Sequence, residues 1–323
     1  MTRMTFQEAA TSALATAMHA DRNVFVLGQD VGKFGGPLRS TAGLWEAFGA
    51  EGRVIDTPIS EGTMAGLAVG AALAGKRPVV ELMFLEFLAL VMQQLLDAGA
   101  MHYYSGGAVR VPLVLRAKYG IGPFHGHAYD HHSWLVNLPG VKVVAPSNPA
   151  DAHALMLAAI ADDNPVVFLE HMALYHAGRA EVDPDRRLRI GQAAIARPGR
   201  DVTVIGTTLM LRRALAAASD LAAEGIEAEV IDLRTIAPLD AETILESVRR
   251  TGRVLVLSEA VQTGSSANDV AALIAEQAFD DLKAPVSRLA PPPVPTPFAR
   301  ELEAQYLPDK DRIMAAIQTL CHG

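Results

Sequence analysis

The chain has 323 residues, about twice the length of a common single domain, so two domains are expected. Half of it is apolar, and 28 Lys plus Arg against 36 Asp plus Glu leave a formal charge of −8, which argues against a nucleic-acid partner. The single cysteine, Cys321, excludes an internal disulfide and a multi-cysteine zinc site and fits a reducing compartment.

Thr5 and Glu8 have capping-box spacing, which predicts a helix rich in Ala and Leu to about residue 20. The residues before it lack the apolar run of a signal peptide. Apolar runs at 24–27, 54–55, 78–80, 111–115, 141–144 and 166–169 read as buried strands. Helical stretches at 64–74, 87–100 and 150–161 alternate with them, and Asn148-Pro149 supplies a cap and a first-turn residue for the last. The longest apolar stretch, 79–96, is broken by Glu81, Glu86, Gln93 and Gln94 and falls short of a bilayer span. A cytoplasmic chain without membrane contact is expected.

Residues 179–200 are polar and rich in turn formers, which predicts a linker at 181–200 between domains at 1–180 and 201–323. Alternation then restarts, with strands expected at 202–205, 228–231 and 254–257 and helices at 209–224, 241–250 and 266–278. The run Pro291-Pro292-Pro293-Val294-Pro295 predicts an extended strap before a last helix. The pattern is α/β: a parallel sheet covered on both faces, followed by a smaller α/β domain.

The chain lacks Gly-x-Gly-x-x-Gly at a helix start, Walker-type Gly-Lys-Ser/Thr and a Gly-x-Ser-x-Gly elbow. Three features remain. Asp56-Thr57-Pro58-Ile59-Ser60-Glu61 runs from a strand end into a helix, where open α/β sheets bind ligands. On spacing alone, the reading of Glu61 as a first-turn acid favoured by the helix dipole comes first. Gly66 and Gly70 behind it are expected to let that helix pack closely. Tyr119-Gly120-Ile121-Gly122-Pro123-Phe124-His125-Gly126-His127 is a glycine-rich loop with Asp130, His131 and His132 close behind. Its histidines suit general acid–base work, and a metal site or a plain surface cluster stay open as alternatives. Glu81-Leu82-Met83-Phe84-Leu85-Glu86-Phe87 is another strand-to-helix junction with acids beside aromatics; the alternative is a core segment with one satisfied acid, the favoured reading for Met83 and Phe84 on pattern alone.

The segments Gly28-Gln29-Asp30-Val31-Gly32, Arg39-Ser40-Thr41-Ala42-Gly43-Leu44, Arg53-Val54-Ile55-Asp56-Thr57-Pro58, Arg77-Pro78-Val79-Val80-Glu81, Pro139-Gly140-Val141-Lys142-Val143-Val144, Asn164-Pro165-Val166-Val167-Phe168-Leu169-Glu170 and 231–240 occur in this order. Together they resemble the beta subunits of 2-oxo acid dehydrogenases, a family that includes the pyruvate, branched-chain and acetoin enzymes. The resemblance covers nearly the whole chain. It implies a transketolase-like pyrimidine-binding domain, then a transketolase C-terminal domain. It also implies thiamine diphosphate as a cofactor shared with an alpha chain that holds Mg2+, an α2β2 heterotetramer, and acyl transfer to a lipoyl acyltransferase component.

In this resemblance Glu61 corresponds to the glutamate that hydrogen-bonds the cofactor's aminopyrimidine, and Met83 and Phe87 to residues that line that ring. His127, twelve residues before Pro139, corresponds to the histidine at the substrate end. Ala159, Asp162 and Asn164 correspond to a turn that binds potassium in some members. The stretch 83–87 is most similar to acetoin-type chains. The segment around His127, where His-Ser becomes His127-Ala128, departs most from the family pattern, as does Gly62 directly after Glu61. A split transketolase-like subunit that passes a two-carbon unit to an aldose is the alternative.

Overall fold

The computed structural model describes residues 1–123 and 126–322. The chain divides into two compact units, one of Met1–Tyr119 with Trp134–Ile190, the other of Gly120–Ser133 with Gly191–Gly323. The loop around His127 therefore groups with the second unit, although it lies within the expected first domain.

The first unit opens with strand β1 (Thr2–Met4) and helix α1 (Phe6–Ala20). The capping box forms: the Glu8 amide donates to Thr5 Oγ1 at 3.2 Å, and the Thr5 amide donates to Glu8 Oε2 at 2.9 Å. The buried face of α1, with Ala10, Ala13 and Leu14, packs on Leu155, Met156 and Ala159 of α5 (Pro149–Ala161). Small side chains on both helices let the axes approach closely. The expected cap of α5 is present, with Asn148 Oδ1 accepting from the Asp151 amide at 2.9 Å.

Between these helices the chain lays down β2 (Val24–Gly28), α2 (Leu44–Phe48), β3 (Val54–Asp56), α3 (Glu61–Leu73), β4 (Arg77–Phe84), α4 (Met92–Tyr104), β5 (Val114–Tyr119) and β6 (Lys142–Val144). After α5 come β7 (Val166–His171) and β8 (Ala180–Val182). Six of these strands form a parallel sheet in the order β6-β7-β5-β4-β2-β3. β5 and β7 are buried along their whole length, as strands covered on both faces must be.

Three local differences from the sequence reading have physical causes. The helix expected over 87–100 begins as a 3-10 turn, Leu85–Leu90, and becomes α-helical only at Met92. The strand expected at 111–115 lies at Val114–Tyr119, because Arg116 and Lys118 belong to it. The expected linker, 181–200, carries regular structure at both ends: β8, which pairs antiparallel with β1, runs into it, and a strand at Ala194–Arg197 lies within it.

The second unit holds β9 (Ala194–Arg197), β10 (Val202–Gly206), α6 (Thr208–Ala222), β11 (Ala228–Asp232), β12 (Thr235–Ala237), α7 (Ala241–Thr251), β13 (Val254–Leu257), α8 (Ser266–Gln277), β14 (Ser287–Leu289), α9 (Arg300–Tyr306) and α10 (Lys310–His322). Its sheet runs β14-β13-β10-β11-β9, with only β9 antiparallel to its neighbour. α6 and α10 share one apolar cluster, and α7 and α8 share another. The proline strap precedes two helices, α9 and α10, where one was expected; Pro308 parts them. Among the described residues no helix is long and apolar enough to cross a membrane.

Candidate active site

In the first unit, Glu61, Met83 and Phe87 all lie at the carboxyl ends of parallel strands, the edge where such sheets bind ligands. Glu61 is the first residue of α3 and is half-buried. Gly62 behind it faces the turn that leads from Phe87 into α4: a Cβ there would stand 3.2 Å from the Leu90 carbonyl oxygen. The departure from the family pattern at Gly62 thus has a structural reason, since the bare backbone brings Glu61's turn against the turn that follows Phe87.

Met83 sits in a bulge. Glu81 pairs with Arg116 and Phe84 with Lys118, so β4 carries one residue more than β5 over this step. Met83 takes up the excess at φ 76°, a left-handed conformation that costs a side-chain-bearing residue about 1 kcal/mol. Its amide donates to Glu81 Oε1 at 3.1 Å, and Gln29 Nε2 donates to its sulfur at 3.6 Å. Phe87 packs edge-on to Phe84 at 6.3 Å between ring centroids.

Behind this edge lies a fully buried charge network. Lys118 Nζ donates to Glu81 Oε1 at 2.7 Å, and Ser40 Oγ donates to Glu81 Oε2 at 2.9 Å. Arg116 donates to both oxygens of Glu170, at 2.6 and 3.1 Å, and its Nη1 lies 3.8 Å from Glu81 Oε2. The Tyr175 hydroxyl also donates to Glu170. Burial pushes the Glu170 carboxyl up, but the Arg116 guanidinium and Lys118 outweigh it and hold the group below its ordinary value. Burial likewise works against the Arg116 charge, and Glu170 and Glu81 overcome it. The sequence reading did not single out Arg116, Lys118 or Glu170; charges at alternate positions of an otherwise apolar strand were the available signal.

In the second unit, His127 is half-buried in the loop, and His125 lies outside the described residues. His132, further along this loop, is held at both ring nitrogens. Its Nδ1 lies 2.5 Å from Asp130 Oδ1 and its Nε2 2.7 Å from Ser266 Oγ, at the first turn of α8. Burial lowers its pKa, but the Asp130 carboxylate outweighs burial and raises it above the ordinary histidine value. Tyr129, His131, Glu259 and Tyr306 help line an adjoining cavity of 280 Å³. Among the described residues no three His, Cys, Asp or Glu side chains are grouped to hold a metal.

At the end of α5, Arg77 Nη1 donates to the carbonyls of Ile160 and Asp162, and Lys142 Nζ donates to Asp162 Oδ2 at 2.6 Å. Asn164 Oδ1 is buried without a hydrogen-bond partner among the described residues. Ala159 is buried in the helix core.

The transketolase pyrimidine-binding domain model matches residues 2–177, and the transketolase C-terminal domain model matches 191–313. The 2-oxoisovalerate dehydrogenase subunit beta of Bacillus subtilis is 42% identical over 99% of both chains. The pyruvate dehydrogenase E1 component subunit beta of the same organism is 43% identical over 99% of both chains. The acetoin:2,6-dichlorophenolindophenol oxidoreductase subunit beta of Cupriavidus necator is 39% identical over 99% of this chain and 98% of its own. The chain belongs to this transketolase-like family of dehydrogenase beta subunits.

A solved split-gene transketolase, an inactive beta4 tetramer, superposes with a TM-score of 0.81 at 25% identity over 99% of each chain. The second domain match begins at residue 191, where the second unit resumes and within the stretch 181–200 expected as a linker. One expectation for this family member is not met within the chain. Gly66 and Gly70 have nothing within 4 Å of their would-be Cβ atoms, and Leu67 and Leu73 beside them are 49% and 47% exposed. This face of α3 has the shape for close packing but no packing partner among the described residues.

Proposed function

We propose that this chain is the beta subunit of the decarboxylating component of a thiamine-diphosphate-dependent 2-oxo acid or acetoin dehydrogenase, active with an alpha chain in an α2β2 assembly. The reading is carried by the grouping of Glu61, Met83 and Phe87 at one strand edge of a chain about 40% identical to such subunits. When bound, thiamine diphosphate supplies the carbanion chemistry and the electron sink for the cleaved bond.

This chain's residues would hold the pyrimidine end. Glu61, at the turn that Gly62 lets close on the Leu90 carbonyl, would offer a carboxyl oxygen to a ring nitrogen and keep a proton in place there. Met83 and Phe87 supply apolar surface for the ring's faces. His127, on the loop of the second unit, would hold or deliver a proton at the substrate. The uncovered glycine face of α3 supports a subunit partner, with Mg2+ and the diphosphate held by the alpha chain. A lipoyl acyltransferase would receive the acyl group, and the cytoplasmic setting belongs to the same reading. Potassium at 159–164 rests on the unpartnered Asn164 Oδ1; the Asp162 carboxylate is already taken by Lys142.

The lower identity to the split transketolase, 25% against 39–43% for the dehydrogenase subunits, favours acyl over sugar chemistry. The test is to purify the chain with its alpha partner, add thiamine diphosphate and Mg2+, and screen 2-oxo acids and acetoin with dye reduction as the readout. No turnover with any of them from an intact complex would overturn the proposal.

A further inference from the structure

We propose that Glu81 is a positioning residue for the pyrimidine pocket, holding the backbone bulge that presents Met83 and starts the turn bearing Phe87. The inference rests on the pyrimidine reading above and names the device behind it. A left-handed methionine does not persist unless its surroundings over-determine it. Here the surroundings are specific.

One oxygen of Glu81 accepts from both the Met83 amide, at 3.1 Å, and Lys118 Nζ, at 2.7 Å. The other accepts from Ser40 Oγ at 2.9 Å. Ser40 is fixed in turn, since its carbonyl accepts from Arg116 Nη1 and from Thr11 Oγ1, each at 3.0 Å. The carboxylate cannot swing away from the Met83 amide without abandoning a buried ammonium and a buried hydroxyl.

The Gly28-Gln29 pair serves the same device. A Cβ on Gly28 would lie 2.8 Å from the Glu81 carbonyl oxygen and 2.9 Å from the Glu81 Cβ, so glycine is what lets β2 and β4 close over this acid. Gln29, the next residue, reaches the Met83 sulfur. An ordinary β4 without the extra residue would keep strict alternation, and Met83 and Phe84 would exchange faces. The bulge instead leaves Met83 half-exposed, buries Phe84, and starts the 3-10 turn at Leu85 that carries Phe87.

The experiment uses the intact alpha–beta complex. Removing the whole ion pair, Glu81→Met with Lys118→Met, keeps the buried charge balanced and the volume filled, so the fold should survive. Two quantities are read: hydrogen exchange at the Met83 amide without cofactor, and thiamine diphosphate affinity by calorimetry. The Met83 amide should lose about tenfold or more of its protection, and cofactor affinity should fall about tenfold or more, with kcat at saturating cofactor falling far less. Met83→Gly adopts φ 76° without strain, so adding the pair substitution to that background should change affinity by less than about twofold.

A folded pair variant that binds cofactor as wild type does, or keeps the Met83 amide protected, overturns the proposal. Should the pair variant not fold, Glu81→Leu with Lys118→Met, which equally removes the acceptor of the Met83 amide, is read the same way, and wild-type values there overturn it equally. A wild-type complex that binds no thiamine diphosphate overturns the pyrimidine reading itself, which separates the two failures.

Discussion

Arg116→Met isolates the buried charge network of the first unit. The guanidinium is fully buried, grips Glu170 with two hydrogen bonds of 2.6 and 3.1 Å, and lies 3.8 Å from Glu81. Methionine fills most of the volume but leaves Glu170 facing only Lys118 and the Tyr175 hydroxyl. Breaking one side of a buried pair costs about 3–5 kcal/mol, which for a unit of this size lowers Tm by roughly 6–20 °C. The cost must depend on pH. In the wild type the Glu170 carboxyl sits below its ordinary value of 4.5, so its contribution is present above that value and is lost as pH falls through the folded pKa. Without Arg116, burial is no longer outweighed by its main opponent and pushes the carboxyl up. The native variant then binds a proton that the unfolded chain has released, so its stability falls as pH rises. Urea unfolding of both proteins at pH 5 and pH 8 should show the larger loss at pH 8, and Glu170→Gln added to Arg116→Met should recover most of it. A loss under about 1 kcal/mol, or one equal at both pH values, would refute the reasoning.

Glu61→Ala should leave the complex assembled and cut kcat about a hundredfold or more, measured by dye reduction with the best 2-oxo acid. Gly70→Leu should leave the subunit's own fold intact, because nothing lies within 4 Å, yet prevent assembly with the alpha chain on size-exclusion chromatography. His132 has a folded pKa above 6.5, so its stabilisation is full below that value and fades as pH rises through the folded pKa; Asp130→Asn leaves burial unopposed by that carboxylate and should reverse the slope of stability against pH in this range. Exchanging potassium for choline should lower Tm if the Asn164 oxygen meets an ion, and Asn164→Ala should abolish the difference; an unchanged Tm would remove potassium from the proposal.

What could be read from the sequence was whatever depends on local pattern. The Thr5–Glu8 box, the Asn148 cap and the alternation of apolar runs each encode their structure within a few residues, and each appears in the fold. β5 shows where that limit falls. Its apolar pattern stops at Leu115, yet the strand continues through Arg116 and Lys118, because their charges are neutralised by Glu170 on β7 and Glu81 on β4, about fifty and forty residues away. The Met83 bulge was hidden for the same reason: its stabilising partner is a side chain rather than a turn motif. Ser266, which completes the His132 arrangement, lies 134 positions away. Glu61 could be located by spacing, but the role proposed for it rests on the family resemblance, since a helix-dipole acid and a cofactor ligand occupy the same first turn.

The charge balance at the strand edge bears on why one subunit would not suffice. Arg116 and Lys118 are the cations that β5 brings to the carboxyl end of the sheet, and both are fully buried and matched by Glu81 and Glu170. Two positive charges meet two negative ones, so neither cation has attraction left over for a diphosphate. Exposing either one would strand a buried carboxylate, at a cost that a phosphate contact at a wet edge would scarcely offset. What this edge offers a ligand is a half-buried carboxyl, a thioether and an aromatic ring: a site suited to a neutral, flat, nitrogen-bearing ring. A cofactor with such a ring at one end and a diphosphate at the other would need its charged end met by a different surface. The neutralised network behind Met83 is thus consistent with the proposal that a second chain meets the anionic end of the cofactor.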